Sequence, residues 1–457
     1  MSISTFTGLE TALRGLMAQQ QALDVTGQNI TNASTPGYTR QRVTLATTPG
    51  LQIGPGLLLG TGVTVTGYQR MRDSFLDTQL RAQTMLQGSA QAAQDGLGQI
   101  EGVINEPSDS GLNSLLSQYW SAWQNVANSP QDMATRQALV EAATSLADGF
   151  NSVASQLSTI QAQTGQNVTL TLQQVNSSAQ TLQSLNTAIA NATAAGNTPN
   201  DLLDQRDLVL DDLAKLGNVS SVDNGNGTIT VTFDGVTLAD PTGAYTLSES
   251  GGTISNNMAT PQTAAVSANA GTLGGLIALR DTTIPGYQTS LDGIAGALIA
   301  ETNAVSVNGF GLDSVNNRPF FGGTDAATIS VLATPTTIAA SASAATLPGD
   351  NTNALAIAQL QNAGVASLAG ATVDGAYAQL VTTIGSDSQA AQRRTSNAGV
   401  LVDSLSNRRD AISSVSLDEE MTNLVKYQRG YQAAARALSA MDDALNLLIN
   451  RTGRVGL

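Results

Sequence analysis

Cysteine and histidine are both absent from this chain of 457 residues. Their absence excludes thiol nucleophiles, disulfides and imidazole bases, and it excludes most zinc sites as well. A metal site would need carboxylates alone, and catalysis would depend on Asp, Glu, Ser, Thr, Lys or Tyr. The sequence shows no nucleophile with a base in reach. We therefore expect no cofactor, no metal and no enzymatic activity.

Three further features of the sequence limit which partners and which cell compartment we expect. The sequence has no run of about 18 apolar residues, so it predicts no membrane-spanning helix. The net charge of −15 disfavours a nucleic-acid partner. No charged leader precedes an apolar block near the N-terminus, so no cleaved secretory signal is predicted. We expect the protein to remain in the cytoplasm or to leave the cell by a route that needs no such signal.

The charged residues are distributed unevenly along the chain. Residues 1–45 carry three arginines and two acidic residues, and residues 405–457 carry seven basic and six acidic residues. Each end therefore has a net charge of +1 and the part between them has −17. An acidic middle stays solvated, whereas near-neutral ends are free to pack against other surfaces. The alternative interpretation is that the uneven distribution has no function.

Apolar side chains near the N-terminus repeat at alternating intervals of three and four, which is typical of a coiled-coil helix. Polar Gln20 and small Gly27 weaken the repeat. We name this stripe the N-terminal seam; it consists of Phe6, Leu9, Leu13, Leu16, Leu23 and Ile30.

A stop signal follows this helix in the stretch NITNASTPGYTRQR. Asn32 is suited to the left-handed conformation of a helix end. Pro36 and Gly37 suit the central positions of a type II turn, which Tyr38 completes. The sequence therefore predicts that the helix ends here and that an extended, glycine-rich connector follows, with a short β-segment in it.

Helical periodicity dominates much of the remaining chain. One apolar repeat is long enough to predict a rod-like helix of about 50 residues, which is more than a globular domain usually holds. Trp120 and Trp123 are predicted to anchor the core between helices. The predicted helices span residues 71–104, 112–126, 139–182 and 376–412.

The periodicity changes in the middle of the chain. Apolar and polar residues alternate on both sides of Asp234-Gly235, which predicts a β-hairpin with its turn at these two residues. The hairpin opens a Gly-, Thr- and Ser-rich region, 218–350, that we predict to be rich in β-structure. One helix, at about 273–307, interrupts this region, and Pro285 is expected to break or kink it.

The last helix is predicted to begin at a capping box, with Ser416 as the cap and Glu419 at the third position. Its apolar residues again alternate at intervals of three and four. We name this stripe the C-terminal seam; it consists of Leu417, Met421, Leu424, Tyr431, Leu438 and Leu445.

The order of these elements predicts a chain that runs outward and returns, so that its two end helices lie side by side. Val25, Val425, Leu447 and Ile449 lie off both seams, and this surplus apolar surface requires other copies to cover it. The predicted fold class is α+β, with long helices in coiled-coil terminal and inner domains and a β-rich outer middle. The predicted domains are a terminal assembly domain (1–45 with 405–457), an inner helical domain (46–217 with 351–404) and a β-rich outer domain (218–350).

Two groups of charged residues allow more than one interpretation. Asp204, Asp207 and Asp211 lie on one face of a short predicted helix, where a solvated helix face is favoured over a cation site. Arginine pairs such as Arg408-Arg409 are spread along helices beside acidic residues. Ion pairs between helices or subunits are therefore favoured over a basic binding stripe.

Four segments resemble bacterial flagellar axial proteins. They are NITNASTPGYTRQRV, the connector GPGLLLGTGV, PNDLLDQRD, and SLDEEMTNLVKYQRGYQAAARALSAMDDALNLLI near the end. The first pattern alone indicates only the axial family, because rod and hook proteins share it. PNDLLDQRD and the long helices are more similar to the hook-associated proteins of the hook–filament junction, and specifically to the first of the two junction proteins. The resemblance covers roughly residues 1–220 and 375–457.

The resemblance implies a structural subunit that assembles as a ring at the hook–filament junction. It implies export in the unfolded state through the flagellar type III apparatus, and thus a secreted protein located in the flagellum. The implied partners are other copies of the chain, the hook protein, the second junction protein and a dedicated export chaperone. That chaperone would bind the C-terminal helix, near the surface that carries Leu424, Tyr431, Leu438 and Leu445.

Two alternatives remain open at this stage. The chain could be a hook or distal-rod axial protein, since these share the N-terminal pattern. It could also be a secreted adhesin or effector that binds a host or glycan ligand through its β-rich middle.

Overall fold

A computed structural model describes residues 6–451; the side chains of Gly54 and of residues 448–451, including that of Ile449, lie outside the described part. Helices dominate the described range, as the periodicity predicts. They are α1 (Phe6–Thr31), α2 (Ser74–Ile104), α3 (Leu112–Asn128), α4 (Met133–Ala194), α5 (Asn200–Leu216), α6 (Gly271–Ala278), α7 (Ile284–Ser306), α8 (Thr352–Gln359), α9 (Val373–Ser413) and α10 (Leu417–Arg451).

The strands form small antiparallel sheets. The first two sheets lie in the connector after α1: β1 (Gln41–Thr47) pairs with β4 (Val63–Arg70), and β2 (Leu51–Gly54) pairs with β3 (Leu57–Leu59). The other sheets lie in the middle of the chain. They are formed by β5 (Val219–Asp223), β6 (Ile229–Phe233), β7 (Val236–Asp240) and β8 (Gly243–Ala244), by β9 (Leu247–Ser250), β10 (Thr253–Asn256) and β11 (Thr263–Ala265), and by β12 (Phe321–Gly322) and β13 (Ser330–Val331).

The two end helices lie side by side, which confirms the predicted return of the chain. α1 and α10 are antiparallel, because residues with higher numbers in α1 contact residues with lower numbers in α10. The close approach includes two glycines, where a missing side chain lets the facing residue come near. The contacts that define the direction are Gly8 with Met441, Gln19 with Gly430, and Asn29 with Glu420.

The stripe that α1 buries within the subunit is not the N-terminal seam, whose role in assembly stays a prediction. Phe6 and Leu13 are exposed, and Leu9, Leu16, Leu23 and Ile30 are only half-buried. A neighbouring stripe of smaller side chains is buried instead, because small side chains allow the chain segments that cover α1 to approach closely. The buried residues of α1 are Ala18, Ala22, Val25, Thr26 and Asn29.

The C-terminal seam is divided between two environments. Leu417 and Met421 are each 53% exposed, so the helix pair leaves them largely uncovered within the subunit. The first turns of α10 instead bury Glu420, which bonds to α1. The remaining members are half-buried; they are Leu424, Tyr431, Leu438 and Leu445.

Helix α4 is the backbone of the inner part of the molecule. It has 62 residues, so it is about 90 Å long, and it is longer than the predicted rod. The apolar repeat from Leu139 to Leu182 is buried along its length, as expected. The first half of α4 packs with α3, α7, α8 and α9 around Trp120 and Trp123. The second half packs with α5, α6 and the sheets of β5–β9.

The middle of the chain contains less sheet than the composition predicts. The Asp234-Gly235 turn is confirmed, with positive φ of 46° and 82°. The break at Pro285 is also confirmed, since one wide π-helical turn joins α6 to α7 just before it. Between α7 and α8, however, the described strands have two residues each. Side chains satisfy much of this backbone; Asp350, for example, accepts from the N–H groups of Ala342 and Thr352.

Candidate functional site

The turn after α1 follows the predicted pattern in most respects. The N–H of Tyr38 donates to the carbonyl of Thr35 at 3.2 Å, and Gly37 has φ +78°, as a type II turn requires. Asn32 does not have the positive φ of a left-handed residue, so that expectation is wrong. Its side-chain amide instead donates to the carbonyl of Gln28 at 3.1 Å, which satisfies the helix end without a left-handed residue.

Asn29 connects α1, the turn and α10 through four hydrogen bonds. Its Nδ2 donates to the carbonyl of Gln41 at 2.9 Å and to Oε2 of Glu420 at 3.0 Å. Its Oδ1 accepts from the N–H of Gln41 at 3.0 Å and from the hydroxyl of Tyr38 at 2.9 Å. Asn29 is 1% exposed, so these bonds replace the water that the amide loses on burial.

Arg40 extends this connection to the other side of the helix pair. It bonds Glu420 and Glu419, at 2.8 and 2.7 Å, and its own N–H donates to the carbonyl of Ser413. The predicted capping box is present only in part. The hydroxyl of Ser416 accepts from the N–H of Glu419 at 3.5 Å, but the Glu419 carboxylate is paired with Arg40.

The two motifs NITNASTPGYTRQRV and PNDLLDQRD contact each other, although more than 150 positions separate them. The N–H of Thr39 donates to Oδ2 of Asp204 at 2.9 Å. Gln41 donates to Asp201 at 3.2 Å and accepts from Asn200 at 3.0 Å. The first motif therefore not only ends a helix but also attaches the terminal helix pair to α5.

The carboxylates of α5 do not form a solvated face, so that interpretation is wrong. Asp204 is 5% exposed and bonds Arg70 at 2.8 Å. Asp207 contacts three arginines: Arg70 at 2.8 Å, Arg72 at 3.3 Å and Arg81 at 3.6 Å. Guanidinium groups thus occupy the positions that a cation would take, and they account for the spacing of the aspartates along the helix face.

Asp211 completes this ion-pair cluster and connects it to α9. It pairs with Arg81 at 2.6 Å and with Arg409 at 2.8 Å. The pair with Arg409 confirms the prediction of ion pairs between helices. The roles of Arg70 and Arg72 were not predicted, although their alternation in the strand-like segment YQRMRD places both side chains on one side. We name Asn29, Tyr38, Arg40, Glu420 and this ion-pair cluster the polar joint.

Burial and charge act in opposite directions on Asp207. Burial alone raises the pKa of a carboxyl, but Arg72 and Arg70 outweigh it and hold the pKa of Asp207 below its usual value. Burial raises the pKa of the Tyr38 hydroxyl to about 12, with contributions from the charges of Asp201, Asp204 and Glu420. Asp207 is therefore ionised and Tyr38 is neutral at physiological pH.

Beyond the polar joint, the terminal helix pair exposes a set of large apolar side chains. They lie on both helices and on both sides of the turn between α9 and α10. The described exposed residues of this kind are Phe6, Leu13, Met17, Ile412, Leu417, Met421, Val425, Met441 and Leu447. Within residues 6–451 no helix is both long and apolar enough to cross a bilayer.

Three protein-family models match the chain, and each falls on a different part of it. The model described as the helical domain of flagellar hook-associated protein FlgK matches residues 97–321. The flagella basal body rod protein model matches 9–39, and the FlgEFG rod-protein C-terminal model matches 410–451. The last two matches cover the segments that meet at Asn29 and Glu420.

Similar proteins extend over nearly the whole chain. Flagellar hook-associated protein 1 of Bacillus subtilis is 32% identical, over 98% of this chain and 99% of the relative. The same-named protein of Salmonella typhimurium is 26% identical over 96% of this chain and 98% of the relative. The solved structure of the hook junction protein FlgK from Burkholderia pseudomallei has a similar fold, with a TM-score of 0.66 at 18% identity, covering 73% of this chain and all of that one. The chain thus belongs to the flagellar hook-associated protein 1 family, whose members are structural, non-enzymatic components of the flagellar axis.

Proposed function

We propose that this chain assembles as a ring of copies at the junction between hook and filament, with the terminal helix pair as its principal assembly surface. The observation that carries the proposal is the exposed apolar surface of α1 and α10. Large exposed apolar patches are uncommon on monomers and mark surfaces that bind other proteins. Both chain ends have a near-neutral charge, so the ends of different copies do not repel each other as the acidic middles would.

The proposal divides the chain as the sequence suggests. Residues 1–45 with 405–457 form the assembly domain, 46–217 with 351–404 the inner domain and 218–350 the outer domain. The contacting partners are further copies, the hook protein and the second junction protein. The polar joint supports this division, because it is where α1 and α10 attach to α2, α5 and α9.

We also propose export in the unfolded state through the flagellar type III apparatus, with a chaperone on α10. The half-buried C-terminal seam residues rest against α1 in the folded subunit and lose that cover when the chain is unfolded. A chaperone that binds Leu424, Tyr431, Leu438 and Leu445 would shield them until assembly.

A glutamate in place of Met421 tests the assembly surface. Met421 is 53% exposed, so Met421→Glu should leave the unfolding of the isolated subunit nearly unchanged while filaments fail to form. Leu170→Glu is the matched control, because Leu170 is 61% exposed on α4, away from the helix pair. Deletion of 417–457 should abolish filaments as well. Normal filament number and length on cells that carry Met421→Glu and on cells that carry the deletion would reject the proposal.

A further inference from the structure

The hairpin of β2 and β3 has four leucines that the described residues cover only in part. Leu58 is 74% exposed, Leu57 61%, Leu51 44% and Leu59 37%. Leu51 lies opposite Leu59 in the ladder, and Gln52 lies opposite Leu58. Leucines exposed on successive positions of one strand place apolar groups on both faces of the hairpin. Water is therefore a poor environment for either face.

The hairpin is also unpaired at its edges. Within the described chain, β2 and β3 hydrogen-bond to each other and to no further strand. An isolated two-stranded hairpin is only marginally stable in water. The two strands are short, with four and three residues, but an apolar edge can still pair with another chain, and proteins usually protect such edges with charges or a covering element. Neither strand carries a charged residue.

The base of the hairpin is held together by its own hydrogen bonds and lies against α1. Thr48 and Thr61 share a hydrogen bond of 2.7 Å across the base, and Thr61 donates to the carbonyl of Pro49 at 2.8 Å. A side chain added at Gly62 would lie 3.3 Å from the methyl group of Thr11. The exposed leucines therefore project from a base that lies against α1.

The charge of this segment indicates which kind of surface can cover it. No acidic or basic residue occurs between Arg42 and Arg70, in a chain whose net charge is −15. A segment without charge avoids the repulsion that otherwise keeps copies of an acidic protein apart. The same chain also exposes apolar side chains on α9, where Val400 and Leu401 are 68% and 50% exposed.

We propose that the β2–β3 hairpin of one copy packs against a second copy of this chain, as an assembly contact separate from the terminal helix pair. The inference rests on the proposed ring assembly. In a ring every copy has the same neighbour relationship, so the hairpin of each copy meets the same surface of the next copy.

Site-specific photocrosslinking in isolated flagella tests the contact. Because the chain has no cysteine, Leu58→Cys introduces one attachment point for a benzophenone maleimide. Gln52→Cys is a second variant that leaves all four leucines in place. Val222→Cys, at a residue that is 65% exposed on β5, measures background, and Met421→Cys reports the terminal helix pair.

We expect Leu58→Cys and Gln52→Cys to give an adduct of twice the 46.8 kDa mass of the chain, with peptides from this chain alone, at least tenfold above Val222→Cys. An adduct with a different protein, or a yield equal to that of Val222→Cys, would overturn the inference. If only Met421→Cys crosslinked copies, the hairpin contact would be rejected and the ring proposal retained. If neither the hairpin nor the helix variants crosslinked copies, both would be rejected.

Discussion

Asn29 and Glu420 are 391 positions apart in the chain, and a hydrogen bond of 3.0 Å joins the amide of the first to the carboxylate of the second. Both side chains are buried, at 1% and 2% exposure. Asn29 lies near the end of α1 and Glu420 near the start of α10, so the bond holds the two helices in one register. A buried polar pair suits this task, because a shift along the helices would break the bond while both groups stay buried.

The register bond predicts a cost for Asn29→Ala. The substitution removes one partner of buried Glu420 and the acceptor of the Tyr38 hydroxyl. We expect the free energy of unfolding to fall by about 2 kcal/mol. Urea unfolding of the purified subunit measures the loss, and faster amide exchange confined to α1 and α10 would locate it.

Asp418→Ala is the control for this prediction. Asp418 lies in the same first turn of α10 as Glu420 but is exposed. Its loss should cost only the favourable interaction of one carboxylate with the helix dipole, about 0.5 kcal/mol. Equal effects of the two substitutions would contradict a specific role for the Asn29–Glu420 bond.

The ion-pair cluster predicts a destabilisation by Asp207→Asn that depends on pH. Removal of one charge leaves Arg70, Arg72 and Arg81 partly unpaired in a buried setting, so we expect a loss of about 3 kcal/mol at pH 7. The folded pKa of Asp207 is lowered, so its stabilisation is present above the unfolded value near 3.8 and is lost as the pH falls through the folded value.

Urea unfolding at pH 7 and pH 3 measures this dependence. The difference between the natural chain and the Asp207→Asn variant should be smaller at the lower pH. Asp212→Asn is the control, since Asp212 is half exposed and pairs only with exposed Lys215 in the described structure; it should change stability by at most about 1 kcal/mol. A difference that stays constant with pH would show that charge is not the cause.

The periodic elements could be predicted from the sequence because periodicity reports burial directly. The repeat from Leu139 to Leu182 identified the buried side of α4. The pair Asp234-Gly235 identified the turn between β6 and β7. Local signals of this kind depend only on residues within one or two turns of each other. They were therefore correct for α4 and for the break before Pro285.

The interactions between elements were predicted less well, for a physical reason. A heptad repeat of large residues on α1 shows that an apolar stripe exists, but it does not show whether the same subunit or another molecule covers that stripe. Within the subunit α1 buries Ala18, Ala22 and Val25. In the same way, the aspartates of α5 were interpreted without their partners, because Arg70 and Arg409 are brought near only by the tertiary fold.

Helix α2 crosses α5 and α6 closely at Gly88 but not at Gly98. Replacing each glycine by alanine should therefore change the stability in opposite directions. An added methyl group at Gly88 would lie 2.4 Å from the carbonyl oxygen of Lys215, whereas at Gly98 nothing lies within 4 Å. Gly88→Ala should therefore destabilise the protein by about 2 kcal/mol, and Gly98→Ala should stabilise it by about 0.7 kcal/mol. Thermal and urea unfolding of both variants measure the difference, and effects of the same sign would contradict the backbone contact at Gly88.

Tyr38→Phe tests the position of the predicted turn in the polar joint. The hydroxyl donates to Oδ1 of Asn29 at 2.9 Å, so its loss should cost about 1 kcal/mol at pH 8. Because burial and the nearby carboxylates raise the folded pKa to about 12 from 10.0, the hydroxyl's contribution is complete below pH 10 and is lost as the pH rises through 12. Urea unfolding at pH 8 and pH 11, together with the ultraviolet difference spectrum of the two proteins, measures this trend. A stability difference that is as large at pH 11 as at pH 8 would show that the hydroxyl ionises as freely as in the unfolded chain, and that the joint does not enclose it.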